Sequence, residues 1–229
     1  NLFDGVVIKL SKNFNNISML GEEIIIAGSA VLDKTLSDFA INNNLSGFEF
    51  LSCIPGTIGG GIRMNSGCFD REFKDILTSI QCIDFEGTVK MIDKNKINFE
   101  YRGSDLSKDL IFLSGTFTGQ KGEGNKIQNK MIELKEKKEN AQPTKVKTGG
   151  STFKNPKDQT SKKVWELIKE SVPKSLTFGD AIISDKHSNF FINKKDASFD
   201  DMKKLITTVK DAVQKKTGVT INPEIVIVE

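Results

Sequence analysis

The chain has 229 residues, enough for one large domain or two smaller ones with a sizeable core. Its 33 basic and 30 acidic residues leave a net charge of +3, too balanced to imply a nucleic-acid or anionic-membrane partner. No apolar run reaches the length of a membrane span, and no signal peptide is recognisable at the start. Cys53, Cys68 and Cys82 show no CxxC spacing and His187 is the single histidine, which excludes the usual zinc sites and suits a reduced, cytoplasmic protein.

The opening Asn1-Leu2-Phe3-Asp4-Gly5 lacks methionine and leads into Val6–Leu10, read as a strand. Such a start is expected of a chain entered partway through a domain, with further sequence before Asn1. Glu23–Ala27 reads as a buried strand. A helix is predicted from near Asp33, with Leu36, Phe39 and Ala40 on one face, ending in Asn42-Asn43-Asn44 ahead of Gly47. Ile76–Phe85 reads as a strand, Phe85–Val89 as a turn between strands, and Leu110–Phe117 as another strand. Gly119–Asn125 is expected to be a flexible break, followed by a helix over Lys126–Asn140 with Ile127, Met131 and Leu134 inward. Val164, Leu167 and Ile168 mark one later helix. Met202, Leu205, Ile206, Val209 and Val213 mark a longer one, begun near Ser198 and stopped at Gly218. Between them, strands are expected around Ile182-Ile183 and Phe190-Phe191-Ile192, and Pro223–Glu229 reads as a closing strand. The pattern is α+β, with a smaller α/β domain from about Pro143 to Asn222.

Five segments could carry chemistry. Ile54-Pro55-Gly56-Thr57-Ile58-Gly59-Gly60-Gly61-Ile62-Arg63-Met64-Asn65-Ser66-Gly67 is dense in glycine around a single cation. It reads either as a loop whose N–H groups close on nucleotide phosphates or as a tight structural turn. It matches neither a Walker loop nor a Rossmann fingerprint, since Met64 stands where the third glycine would fall. Tyr101-Arg102-Gly103-Ser104 sets a cation beside an aromatic ring, which on its own could be a surface ion pair. Gly149-Gly150-Ser151-Thr152-Phe153-Lys154-Asn155-Pro156 places a hydroxyl on a tight bend. Ser151 is outside any G-x-S-x-G elbow, so it reads as a turn serine or as a proton donor to a carbanion or enolate. Pro223-Glu224 offers a carboxylate that could equally face solvent. His187, in Ser184-Asp185-Lys186-His187-Ser188-Asn189-Phe190, reads as a hydrogen-bonded structural histidine or a substrate contact.

Taken in order, these segments resemble one family over essentially the whole chain: UDP-N-acetylenolpyruvoylglucosamine reductase, the flavoenzyme that completes UDP-N-acetylmuramate for bacterial peptidoglycan. The resemblance rests on residues 54–60 and 63–67, 101–104, 150–156, 184–190 and 223–224, each modest and together strong. It implies an FAD-binding α+β domain of the PCMH/vanillyl-alcohol-oxidase-like type over residues 1–118, then a linker and helix over 119–142. A smaller α/β substrate-binding domain follows over 143–222, and a C-terminal strand, 223–229, returns to the FAD-binding part. It implies a two-step reaction in which NADPH reduces FAD and leaves, and UDP-N-acetylglucosamine enolpyruvate then takes hydride at C3 and a proton at C2. By the same resemblance Ser151 is the proton donor, and Arg102 and Glu224 stabilise the enolate-like charge. Pro55, Gly56, Thr57, Gly59, Gly60, Gly61, Arg63, Asn65 and Gly67 would contact the cofactor, and Tyr101, Lys154 and Asn155 the substrate. A monomer is expected, with no nucleic-acid, membrane or metal partner.

The chain departs from the family pattern at Cys68-Phe69-Asp70, where many relatives carry a small residue, tyrosine and glycine. Gly119–Asn125 has no assigned role, and the family's N-terminal subdomain, which contributes a glycine-rich loop to FAD, is missing. Two other readings remain: another FAD-dependent oxidoreductase of the same fold, and a non-catalytic nucleotide-sugar binding module.

Overall fold

A computed structural model of the chain describes residues 5–228. The first four residues and Glu229, parts of the expected opening and closing segments, lie outside that range. The described chain forms two compact units, Gly5–Lys138 and Glu139 onward.

The first unit is built on a five-stranded antiparallel sheet. Its strands are β1 (Ile17–Leu20), β2 (Ile24–Gly28), β3 (Leu77–Ile83), β4 (Val89–Asp93) and β5 (Ile111–Thr118), in the spatial order β1-β2-β5-β3-β4. Alternation decides the buried face: Ile25 and Ala27 of β2, Phe112 and Phe117 of β5, and Leu77, Ile80 and Cys82 of β3 enter the core. Phe73 lies edge-on to Phe50 and to Phe117, with ring centroids 6.5 and 6.0 Å away. Helix α1 (Asp33–Asn42) buries Leu36 and Ala40 and packs on the 3-10 turn Glu49–Cys53. Helix α2 (Ile58–Met64) lies on β5 and β2. Helix α3 (Gly124–Ala141) turns Ile127, Met131 and Leu134 inward, as its 3.6-residue periodicity dictates.

The second unit holds a four-stranded antiparallel sheet of β6 (Lys147–Ser151), β7 (Thr177–Phe178), β8 (Ala181–Ile183) and β9 (Phe190–Asn193), ordered β6-β9-β8-β7. Helices α4 (Val164–Ser171) and α5 (Phe199–Thr217) pack on each other, and α5 covers the β7–β8 hairpin. Helix α5 starts where Ser198 and Asp201 exchange side-chain and backbone hydrogen bonds, and stops at Gly218 with φ of 74°. Its Leu205, Ile206, Val209 and Val213 share a core with Val164, Leu167, Ile168 and Phe153.

Three expected elements differ. Val6–Leu10 forms no strand: Val6, Val7 and Ile8 are exposed, and no neighbouring strand among the described residues supplies the ladder that stabilises an extended run. Gly119–Asn125 is not a flexible break. Gln120-Lys121 pairs antiparallel with Leu45-Ser46, and the Gly119 and Gly122 amides donate to Glu23 O and Asn44 O at 2.9 Å. Pro223–Val228 is also no strand. One isolated bridge joins Pro223 to Phe153, and a proline has no amide to extend a ladder.

Candidate functional site

The glycine segment is half helix, not an open loop. Residues 58–64 form α2, in which glycine costs about 1 kcal/mol relative to alanine at each position. Packing explains most of these glycines. A Cβ on Gly61 would stand 2.2 Å from Phe73 Cζ, one on Gly56 2.8 Å from Asp33 Oδ2, and one on Gly59 3.1 Å from Ser29 Cβ. Gly67 would meet Arg71 O at 2.1 Å. Gly60 is different: it is exposed, and its Cβ would meet nothing nearer than Thr57 Oγ1 at 3.7 Å.

The segment is stitched to the β2–α1 connection. Leu32 and Thr57 bridge, the Asp33 amide donates to Gly56 O at 3.1 Å, and the Ile58 and Gly59 amides donate to Val31 O and Ser29 O at 2.9 Å. The Gly61 amide donates to Thr57 O. The expected ring of free N–H groups is therefore largely committed to protein carbonyls, and only the remaining amides could meet a phosphate. Beneath this seam, Ser29 Oγ and both carboxyl oxygens of Asp33 are buried without a hydrogen-bond partner. Burial alone pushes the Asp33 carboxyl up to about 7.

Arg63 and Asn65 read from sequence as cofactor contacts, but both side chains are engaged inside the protein. The Arg63 guanidinium donates to Leu106 O, Ser107 O and Leu110 O at 3.2, 2.8 and 2.8 Å and stacks 4.3 Å from the Phe112 ring centroid. Asn65 ends α2 in a left-handed conformation, φ 40°. Its amide donates to Glu72 Oε2 and Glu100 O and accepts from the Lys74 amide, so a glycine there would lose three bonds. The reason is local: a helix that stops between two hairpins needs a side chain to satisfy the backbone around it.

Tyr101-Arg102 is the two-residue connection between Phe99-Glu100 and Gly103-Ser104. Arg102 has φ of 60°, a left-handed conformation uncommon for a non-glycine residue. It sits over the Tyr101 ring at 5.0 Å and donates to Gly67 O at 2.9 Å. The neighbouring hairpin loop, Phe69-Asp70, is left-handed at both positions, with φ of 53° and 61°. Both belong to the Cys68-Phe69-Asp70 stretch expected from the sequence to depart from the family pattern.

In the second unit, Ser151 ends β6 through an irregularity. Thr148 faces Ile192 and Ser151 faces Phe190, so the Gly149-Gly150 pair forms a bulge in which Gly150 has φ of 86°. Asn189 clamps the next residues: its Oδ1 accepts from the Phe153 amide at 2.9 Å, its Nδ2 donates to Phe153 O at 2.8 Å, and its own carbonyl accepts from the Thr152 amide. On the opposite side, the Glu224 amide donates to Thr152 O at 2.8 Å and the Lys154 amide to Asn222 O. Ser151 and Glu224 are thus held beside the same short backbone stretch. Asn155, expected as a substrate contact, accepts the Val164 amide on Oδ1 at 3.0 Å at the start of α4.

His187 takes its structural role. Nδ1 accepts from the Asn189 amide at 3.2 Å, the ring lies against Phe190 at 4.9 Å, and burial holds its pKa below the usual histidine value. The Asn189 clamp was legible only as part of the 184–190 segment, and Ser29 and Asp33 gave no sequence signal. A cleft of about 940 Å³ in the first unit, lined by Glu49, Asp70, Arg71 and Lys94 among others, includes none of the expected site residues. Among the described residues there is no metal-ligating cluster, and no helix is long and apolar enough to cross a membrane.

Comparison with known proteins places this geometry. A family model described as "FAD binding domain" matches residues 1–93, and one described as "UDP-N-acetylenolpyruvoylglucosamine reductase, C-terminal domain" matches residues 142–228. The chain is similar to the UDP-N-acetylenolpyruvoylglucosamine reductase of Pelagibacter ubique, 63% identical over 99% of this chain and 75% of that protein. It is 43% identical to the Rickettsia typhi protein of the same name, over 97% of this chain and 74% of the relative. The crystal structure of the corresponding reductase from Thermus caldophilus matches with a TM-score of 0.81 at 28% identity, over 94% of this chain and 75% of that one.

Proposed function

Since this chain belongs to the UDP-N-acetylenolpyruvoylglucosamine reductase family, we propose that it carries out the FAD-dependent, NADPH-driven reduction of UDP-N-acetylglucosamine enolpyruvate to UDP-N-acetylmuramate. It is an oxidoreductase with an FAD-binding domain, and the family's product serves peptidoglycan synthesis. We assign the reaction to the cytoplasm and to a monomer without nucleic-acid or membrane partners.

The first unit fits the cofactor at Gly60. Neither packing nor a positive φ demands glycine there, so close approach of a ligand is the remaining reason for it. Pro55, Gly56, Thr57 and Gly60 would border the cofactor, with Gly59 and Gly61 holding the segment's shape and Arg63, Asn65 and Gly67 anchoring it from behind. FAD, when bound, supplies hydride carriage from NADPH to C3 of the enolpyruvyl group. Charge then develops at C2 and the adjoining carboxylate. We assign the Ser151 hydroxyl as the donor of the proton that C2 must receive. Arg102 is assigned to neutralising the carboxylate, and its left-handed backbone is the kind of strain that functional positions retain. Glu224 is assigned with Arg102 to stabilising the same charge. One such preorganised donor is worth about 3–4 kcal/mol. Tyr101 and Lys154 are assigned to the substrate.

The observation that supports this assignment most directly is the bulge and clamp around Ser151, which hold the serine beside the backbone that bears Glu224. Ser151→Ala tests it. Stopped-flow absorbance should show NADPH reducing the flavin at an unchanged rate while enolpyruvyl turnover falls by about 10²–10⁴-fold. Normal turnover would remove the serine from its role.

A further inference from the structure

Cys53 and Cys68 stand at the two ends of the glycine segment, one directly before Ile54 and the other directly after Gly67. Cys53 closes the 3-10 turn Glu49–Cys53, and Cys68 lies on the short strand Gly67-Cys68. The fold brings these ends together. Cys68 Sγ donates to Phe50 O, in the same turn as Cys53, at 3.4 Å, which sets the Cys68 sulfur against the turn that Cys53 closes. The surroundings are electropositive: Lys138 Nζ bonds Cys53 O, and Lys135 and Lys138 both favour a thiolate at Cys53. The Cys68 hydrogen bond lowers the Cys53 thiol to about 6, while the same bond, with burial, pushes Cys68 up. One sulfur is thereby the nucleophile and the other keeps its proton. Neither is used in the reduction.

We propose that Cys53 and Cys68 are a reversible oxidation site that closes to a disulfide across the two ends of the glycine segment. The oxidant is a peroxide. The Cys53 thiolate attacks the O–O bond, becomes a sulfenic acid and releases one water once the departing hydroxide is protonated. The Cys68 sulfur then loses its proton and attacks the Cys53 sulfur, the S–O bond breaks, and the hydroxyl leaves as a second water. Two thiols and one hydrogen peroxide give one disulfide and two waters, the thiols losing the two electrons that the peroxide gains. Cys82 is the internal control: like Cys53 it is buried, but it lies in β3, where it bonds Lys90 O at 3.7 Å, and burial raises its pKa. The site itself stands on the placement of Cys68 against the turn that ends in Cys53. Its effect on the cofactor rests on the reading of the segment as flavin-binding.

The test treats the reduced chain with hydrogen peroxide, alkylates the remaining thiols, and digests with trypsin without reductant. Cleavage after Arg63 separates the cysteines into peptides 35–63 and 64–71. The expected result is those peptides joined, lighter by two hydrogens than their sum, released by dithiothreitol, with Cys82 alkylated. Separate peptides, whether alkylated or carrying sulfinic acid at Cys53, would overturn the proposal. Cys68→Ser should strand Cys53 as a sulfenic acid that dimedone traps, a species absent from the wild type; equal trapping in both would also overturn it. FAD titration of the oxidised and reduced forms separates the two readings: a disulfide that leaves FAD affinity unchanged counts against the segment as the flavin site, not against the oxidation site.

Discussion

Gly61 lies in an ordinary helical conformation and is glycine because Phe73 fills the space of a side chain, whereas Gly150 has nothing within 4 Å of a built Cβ and is glycine because its φ is 86°. In the first unit, Gly56, Gly59, Gly61 and Gly67 serve close packing. Their segment must sit tightly on the β2–α1 connection, over a buried carboxyl, and still leave Gly60 open. In the second unit Gly150 serves conformation: the bulge turns Ser151 out of the regular ladder, and the Asn189 clamp fixes the residues after it. Similar composition therefore serves different physics, and the kind of substitution each stretch tolerates should differ accordingly.

Ser151→Ala, acting on turnover alone, is the largest expected effect and probes only the second stretch. Next comes the carboxyl under the first. Asp33 is raised from 3.8 to about 7 by burial, so the folded state holds its proton more tightly than the unfolded chain does. Its contribution to stability is complete below the unfolded pKa, is lost as pH rises towards 7, and is level above that. Urea denaturation should find the protein less stable at pH 8 than at pH 5 by on the order of 2 kcal/mol from this group, and Asp33→Asn should flatten that slope. An unchanged slope in the variant would mean that Asp33 has found a partner.

The glycines sharpen the contrast further. Gly61→Ala should cost about 1–3 kcal/mol through overpacking against Phe73. Gly60→Ala, one position away, should leave stability equal or up to about 1 kcal/mol higher through helix propensity, while weakening FAD binding in a fluorescence titration. Equal losses at both would contradict the packing account. Gly150→Ala should cost about 1–2 kcal/mol from backbone strain alone. Gly150→Asn should cost less, since asparagine tolerates the left-handed region, whereas Gly61→Asn should be at least as damaging as alanine. Thermal melts of the five variants would decide it.

Much of the architecture was legible from local patterning. The inward faces of α1, α3, α4 and α5 follow from apolar residues spaced three and four apart, and the limits of α5 follow from Ser198 and Gly218. Ordered motifs alone pointed to the family, because glycine, hydroxyl, cation and carboxylate positions survive in linear order. Strand partners were less legible. Val6–Leu10 is apolar enough for a strand but pairs with no strand among the described residues, and Gln120-Lys121 looks like a break yet pairs with Leu45-Ser46.

The sequence by itself determined the residue types a flavin-dependent reduction needs, their order, and the helical faces that build both cores, since these depend on short-range periodicity and chemistry. Only the tertiary structure decided what each candidate touches. It turned Arg63 towards the carbonyls of residues 106–110, made Asn65 a three-bond knot, set Asn155 at the start of α4, and left the Ser29 hydroxyl and the Asp33 carboxyl oxygens buried without partners among the described residues. Those outcomes depend on contacts between residues distant in the chain, and a side chain's hydrogen bonds are fixed by which backbone the fold brings beside it, not by its sequence neighbours.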